Sequence, residues 1–66
     1  MGERLKELRL MRNMTQEKLS EISKVSRPTI VAIETGKLSF AKTSTLEALA
    51  KALGVSVAVF FTDTVS

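Results

Sequence analysis

The chain has no cysteine and no histidine, and those two gaps exclude several classes of chemistry at once. Without cysteine there is no disulfide framework and no thiolate, which fits a protein of the reducing cytoplasm. Without histidine as well, zinc sites and most nucleophile–base pairs lose their usual side chains. The carboxylates form no pair within a glycine-rich or metal-ligand frame, so neither an enzyme, a metal nor a cofactor is expected. No apolar run approaches the roughly 20 residues that cross a bilayer. The opening residues, MGERLKEL, are charged with no apolar stretch behind them, so they do not read as a signal peptide. Met1-Gly2 is not followed by the Ser or Thr of a myristoylation signal. The expectation is a soluble cytoplasmic protein with no membrane partner.

What is present is enough for one domain, residues 1–66, with 44% hydrophobic residues to build its core. No second domain is available for an effector pocket, so no small-molecule effector is expected. Ten Lys and Arg against seven Asp and Glu leave a net charge of +3. That excess only modestly favours a polyanionic partner, and its placement matters more. The acids fall mostly on helical stretches, whereas Lys24, Arg27, Lys37 and Lys42 sit in or beside turns.

Helical spacing recurs along the chain. Residues 3–12 place Leu5, Leu8 and the stem of Arg9 or Arg12 on one side, and Asn13 is suited to the left-handed conformation that ends a helix. Thr15 is an N-cap for a second helix that turns Leu19 and Ile22 inward, with Ser20 small enough for a close helix crossing. The break at Ser23-Lys24-Val25 contains no glycine, so a positive φ there would fall on Lys24 at some cost. Ser26 is expected to cap the next helix. Pro28 is tolerated in its first turn, Ile30 and Ile33 face inward, and Gly36 stops it. Two short helices joined by a tight turn over Thr15–Gly36 form a helix-turn-helix unit.

In the loop 37–43, Phe40 is expected to anchor on the core. Ser44 with Glu47 reads as a capping box ahead of a helix carrying Leu46, Leu49, Ala50 and Leu53, closed by Gly54. The tail about 56–61 fits either a short helix capped by Ser56, with Val57, Phe60 and Phe61 on one face, or an alternating strand. Val59 and one Phe are hard to bury in so small a monomer. The segment about 55–66, through Val57, Val59, Phe60 and Phe61, is therefore expected to form a dimer interface.

These residues resemble the lambda Cro/C1-type (XRE-like) helix-turn-helix family. The resemblance is carried by Met14-Thr15-Gln16-Glu17, Leu19, Val25-Ser26-Arg27 with Thr29-Ile30, Ile33-Glu34 with Gly36-Lys37, Leu46-Glu47 with Leu49-Ala50, and Leu53-Gly54-Val55-Ser56. It implies an all-α, compact five-helix bundle that binds operator DNA, usually as a homodimer. It places Gln16 at a phosphate-contacting position, and Ser26, Arg27, Pro28, Thr29 and Ala32 at or beside the groove. It makes Arg9 and Glu34 a structural ion pair, and puts Lys37 and its loop on the DNA backbone. The chain departs from the pattern at Lys24, where glycine is usual, and at Ser20, where alanine is usual. A loop between Gly36 and Leu46 about four residues longer weakens the carry-over across 38–43.

The side chains suit these roles. Arg27, at the start of the expected recognition helix 26–35, can grip guanine O6 and N7 in bidentate fashion. Pro28 beside it cannot hydrogen-bond a base, and Thr29, Val31 and Ala32 can offer methyl contacts to thymine. Thr15, Gln16, Ser26, Lys37 and Lys42 are expected at phosphates, while Lys24 is more readily a solvated lysine. A sequence-specific transcriptional repressor or regulator on pseudo-palindromic double-stranded DNA is the expected function. The alternative is an antitoxin-type interaction protein whose apolar tail binds a toxin while it represses its own operon.

Overall fold

The computed structural model describes residues 2–38 and 41–60. Four helices follow one another: α1 (Gly2–Met11), α2 (Gln16–Ser23), α3 (Arg27–Glu34) and α4 (Thr43–Leu53), then a 3₁₀ turn at Val57–Phe60. Among the described residues there is no strand, and no helix is long and apolar enough to cross a membrane. The architecture is all-helical as expected, but the fifth element is one 3₁₀ turn rather than a fifth α-helix. The β-branched Val57 and Val59 are stiff at χ1 and resist regular α-helix, whereas short 3₁₀ pieces serve as connectors. Ser56 supports the turn, its Oγ accepting from the Ala58 N–H at 3.2 Å.

One core joins the elements. Leu5 and Leu8 of α1, Leu19 of α2, Ile30 and Ile33 of α3, and Leu46, Leu49, Ala50 and Leu53 of α4 are buried together with Phe60. Each fully buried Leu or Ile is worth about 1.5–3 kcal/mol of transfer free energy. α2 packs on α3 and α4, α1 packs on α3, and the 3₁₀ turn packs on α4.

The helix ends are set locally. Asn13 takes φ 56° after α1, and the Met14 N–H returns to the Arg9 carbonyl at 3.1 Å. Thr15 caps α2, its hydroxyl accepting from the Lys18 N–H at 2.9 Å. Lys24 does take the left-handed conformation, at φ 67°, and its N–H closes α2 on the Ser20 carbonyl. Gly36 (φ 82°) and Gly54 (φ 72°) follow α3 and α4.

Three expectations are corrected. Ile22 is 44% exposed, and Ser23 is the buried residue in the last turn of α2. Ser23 lies four residues beyond Leu19, closer to the same stripe than a residue three beyond, and its Oγ accepts from the Val25 N–H at 3.2 Å. Ser44 is not a cap. α4 starts at Thr43, with Lys42 extended before it and no side-chain cap bond. The Lys42 carbonyl accepts from Leu46, which places Ser44 inside the first turn. Ser26 occupies the N-cap of α3, yet its hydroxyl makes no backbone cap bond. That hydroxyl is instead 2.8 Å from the Thr29 hydroxyl. Phe40, the expected loop anchor, lies outside the described residues.

Candidate nucleic-acid interface

α3 is an eight-residue helix, RPTIVAIE, held from beneath by Ile30 and Ile33. With those two residues inward, Arg27 and Val31 form one outer row and Pro28 and Ala32 the next, each pair four residues apart. Lys37 joins them from the following turn. The Leu38 N–H donates to the Ala32 carbonyl at 3.0 Å, which folds the chain after Gly36 back along the helix. These five side chains line one shallow, open depression of about 340 Å³. Three of the five, Pro28, Val31 and Ala32, are apolar, and Arg27 and Lys37 are cations.

Thr29 is separated from this group. It does not line the depression; it is half-buried, and its hydroxyl is shared with Ser26. Two residues from both Arg27 and Val31, it falls on another side of the helix.

Behind the outer face lies a buried ionic cluster. Arg9 Nε donates to Glu34 Oε2 at 2.8 Å, and Nη2 to Oε1 at 3.1 Å, a bidentate pair. Their side chains are 8% and 2% exposed. Arg9 Nη1 donates to the Met14 carbonyl at 2.7 Å, fixing the α1–α2 corner as well. Gln16 Nε2 donates to Glu34 Oε1 at 3.0 Å. The expected Arg9–Glu34 pair is therefore present, and it is structural. Gln16 belongs to the same cluster, which the sequence did not reveal because its partner is 18 residues away on another helix. Sharing Glu34 fixes one amide hydrogen of Gln16 inward, while the half-buried side chain keeps part of its surface in water.

The remaining phosphate candidates lie apart from the depression. Thr15 and Ser26 are exposed at the starts of α2 and α3, and Lys42 is exposed at the start of α4. In the proposed dimer segment, Val57 and Val59 are half-buried against the core. Phe60 is 3% exposed, so it fills the chain's own core rather than standing on its surface. The turn swings it onto α4, the helix it packs against. Phe61 lies outside the described residues.

Two short helices joined through a left-handed Lys24, the second presenting a cation-edged apolar face, define a helix-turn-helix protein. Residues 5–60 match the helix-turn-helix family model of Cro/C1 (XRE-like) type, and the chain belongs to that DNA-binding family. Among curated proteins, none matches it.

Proposed function

We propose that the chain is a sequence-specific regulator of transcription, a repressor that sets α3 into the major groove of double-stranded DNA as a homodimer. One observation carries this reading: the only acid of α3, Glu34, is withdrawn from the surface by Arg9. The face that remains bears Arg27 and Lys37 beside Pro28, Val31 and Ala32, with no carboxylate among the described residues that line it. A helix end meant for water would carry mixed charges; one meant for a polyanion is better without acids.

In this reading Arg27 contacts a base edge and Lys37 the adjacent backbone. Gln16, Thr15, Ser26 and Lys42 contact phosphate. Gln16 does so with its free amide hydrogen while Glu34 orients the other. A second copy would place two α3 helices about 34 Å apart on successive turns of the duplex. Val57 and Val59, with Phe61, are the proposed contact between copies. The toxin-binding alternative would use the apolar tail Val57–Phe61, and Phe60, inside the core, is withdrawn from that face.

The test is fluorescence anisotropy of a duplex selected from a random pool, with wild type, Arg27→Ala and Gln16→Ala. Arg27→Ala should lose the preference for selected over random duplex. Gln16→Ala should weaken both alike. Unchanged affinity in both variants would remove α3 from the groove.

A further inference from the structure

Most of the groove-facing surface of α3 cannot form a hydrogen bond. Pro28 has neither a backbone N–H nor a polar side chain, and Val31 and Ala32 offer only methyl groups. The structure brings these three together as the floor of a single depression, rather than scattering them over the helix. Thr29, the neighbouring residue with a hydroxyl, is turned away and occupied with Ser26. Arg27 and Lys37 complete the lining. Among the described residues the depression is open, so they do not enclose a small ligand as an effector pocket does. It can only receive something laid against it.

In the major groove one base feature is apolar and projects outward: the methyl group at C5 of a pyrimidine. Donors and acceptors would have no partner on this floor and would be left dry at a cost. A cation on either side suits the phosphates or guanine edges that flank such a base.

We infer that the Pro28–Val31–Ala32 depression receives a pyrimidine C5-methyl group, of thymine or of 5-methylcytosine, and that this contact is a main source of the protein's base preference. This rests on the DNA-binding reading above. Arg27 then supplies the hydrogen-bonded contact next to it, and Lys37 holds the strand that carries the methyl group. Replacing thymine by uracil keeps every hydrogen-bonding group and removes only that methyl, so the contact can be isolated.

The experiment takes the best duplex selected from a random pool by the wild-type chain. Each thymine is replaced in turn by deoxyuridine, and each cytosine by 5-methyldeoxycytidine. At one thymine in each half-site, deoxyuridine should lower affinity about fourfold, the worth of one methyl group removed from water. In a duplex carrying C·G at that position, methylating the cytosine should raise affinity by a similar factor if the methyl is read regardless of its base. A loss with deoxyuridine without that gain assigns thymine alone. Val31→Thr keeps the shape of valine but puts a hydroxyl into the floor, and Val31→Ser removes a methyl as well. In both variants, checked for folding by circular dichroism, the thymine-to-uracil affinity ratio should fall towards one. Salt-dependent duplex binding that is indifferent to deoxyuridine at every position would overturn the methyl contact and leave the DNA-binding reading standing. Failure to bind any duplex would overturn both.

Discussion

The Arg9 guanidinium and the Glu34 carboxylate meet through two hydrogen bonds, 2.8 and 3.1 Å long, across a separation of 25 residues. The pair joins the end of α3 to α1. Through Met14 and Gln16 it also holds the start of α2, so three helices are fixed by one cluster. Its consequence for the outer face is that the one acid of α3 is spent internally.

Breaking this pair from one side should be severe. Glu34→Ala leaves Arg9 buried and unpaired, and Arg9→Ala does the same to Glu34; each is expected to lose about 3–5 kcal/mol. The double variant Arg9→Met with Glu34→Leu should recover much of that loss, because a well-packed apolar pair often equals a buried ion pair. Urea denaturation of the four proteins measures it. A double variant as unstable as either single one would mean that the cluster is worth more than its desolvation cost.

Lys24 occupies a left-handed conformation, φ 67°, that a glycine adopts without strain. Lys24→Gly should therefore stabilise the fold by about 1 kcal/mol, the strain relieved less the extra freedom gained by the unfolded chain. In a domain of this size that is about 4–8 °C in Tm. A lower Tm on thermal melting would show that the Lys24 side chain makes a compensating contact.

Gly2 begins α1 where it lies against the end of α3. A Cβ there would collide with the Ile33 carbonyl oxygen and crowd that of Glu34. These are backbone atoms, so α1 itself has to shift. Gly2→Ala should cost about 1–3 kcal/mol, the range for overpacking a fitted contact. Wild-type stability in the denaturation curve would mean that the first turn of α1 moves aside freely.

Phe60 separates two uses of the C-terminal segment. As a core residue it should cost about 3–5 kcal/mol when changed to Ala. Val57→Ala, at a half-buried site, should cost much less and act on self-association instead, read by light scattering against concentration. A Phe60→Ala protein of normal stability that has merely become monomeric would return Phe60 to the interface.

The elements legible in the sequence were those decided within a few residues. Thr15 as a cap, Asn13 and Lys24 at positive φ, and the stops at Gly36 and Gly54 each depend on local backbone chemistry. The periodic stripe of α4 was equally plain. Choices that depend on a distant partner were not. Ile22 and Ser23 differ by one position on a short helix, and only the placement of the neighbouring helices decides which is covered. Gln16 read as a phosphate contact, and its bond to Glu34 went unseen because Glu34 is remote in sequence. Ser26 and Thr29, each with a local backbone alternative, chose each other. Arg27, Pro28, Val31 and Ala32 were among the base-contacting candidates and share the depression on α3, whereas Thr29, the fifth candidate, does not line it. Lys37 joined it only through the return of the chain after Gly36.

The salt dependence of duplex binding tests the proposed interface most directly. A dimer that neutralises about 6–10 phosphates should lose affinity by about 10³–10⁵-fold between 50 and 200 mM salt. Arg27→Ala should flatten that slope or abolish site preference, according to whether Arg27 meets phosphate or base. Duplex binding that is weak, independent of salt and unaffected by Arg27→Ala would contradict the assignment of α3 to the major groove.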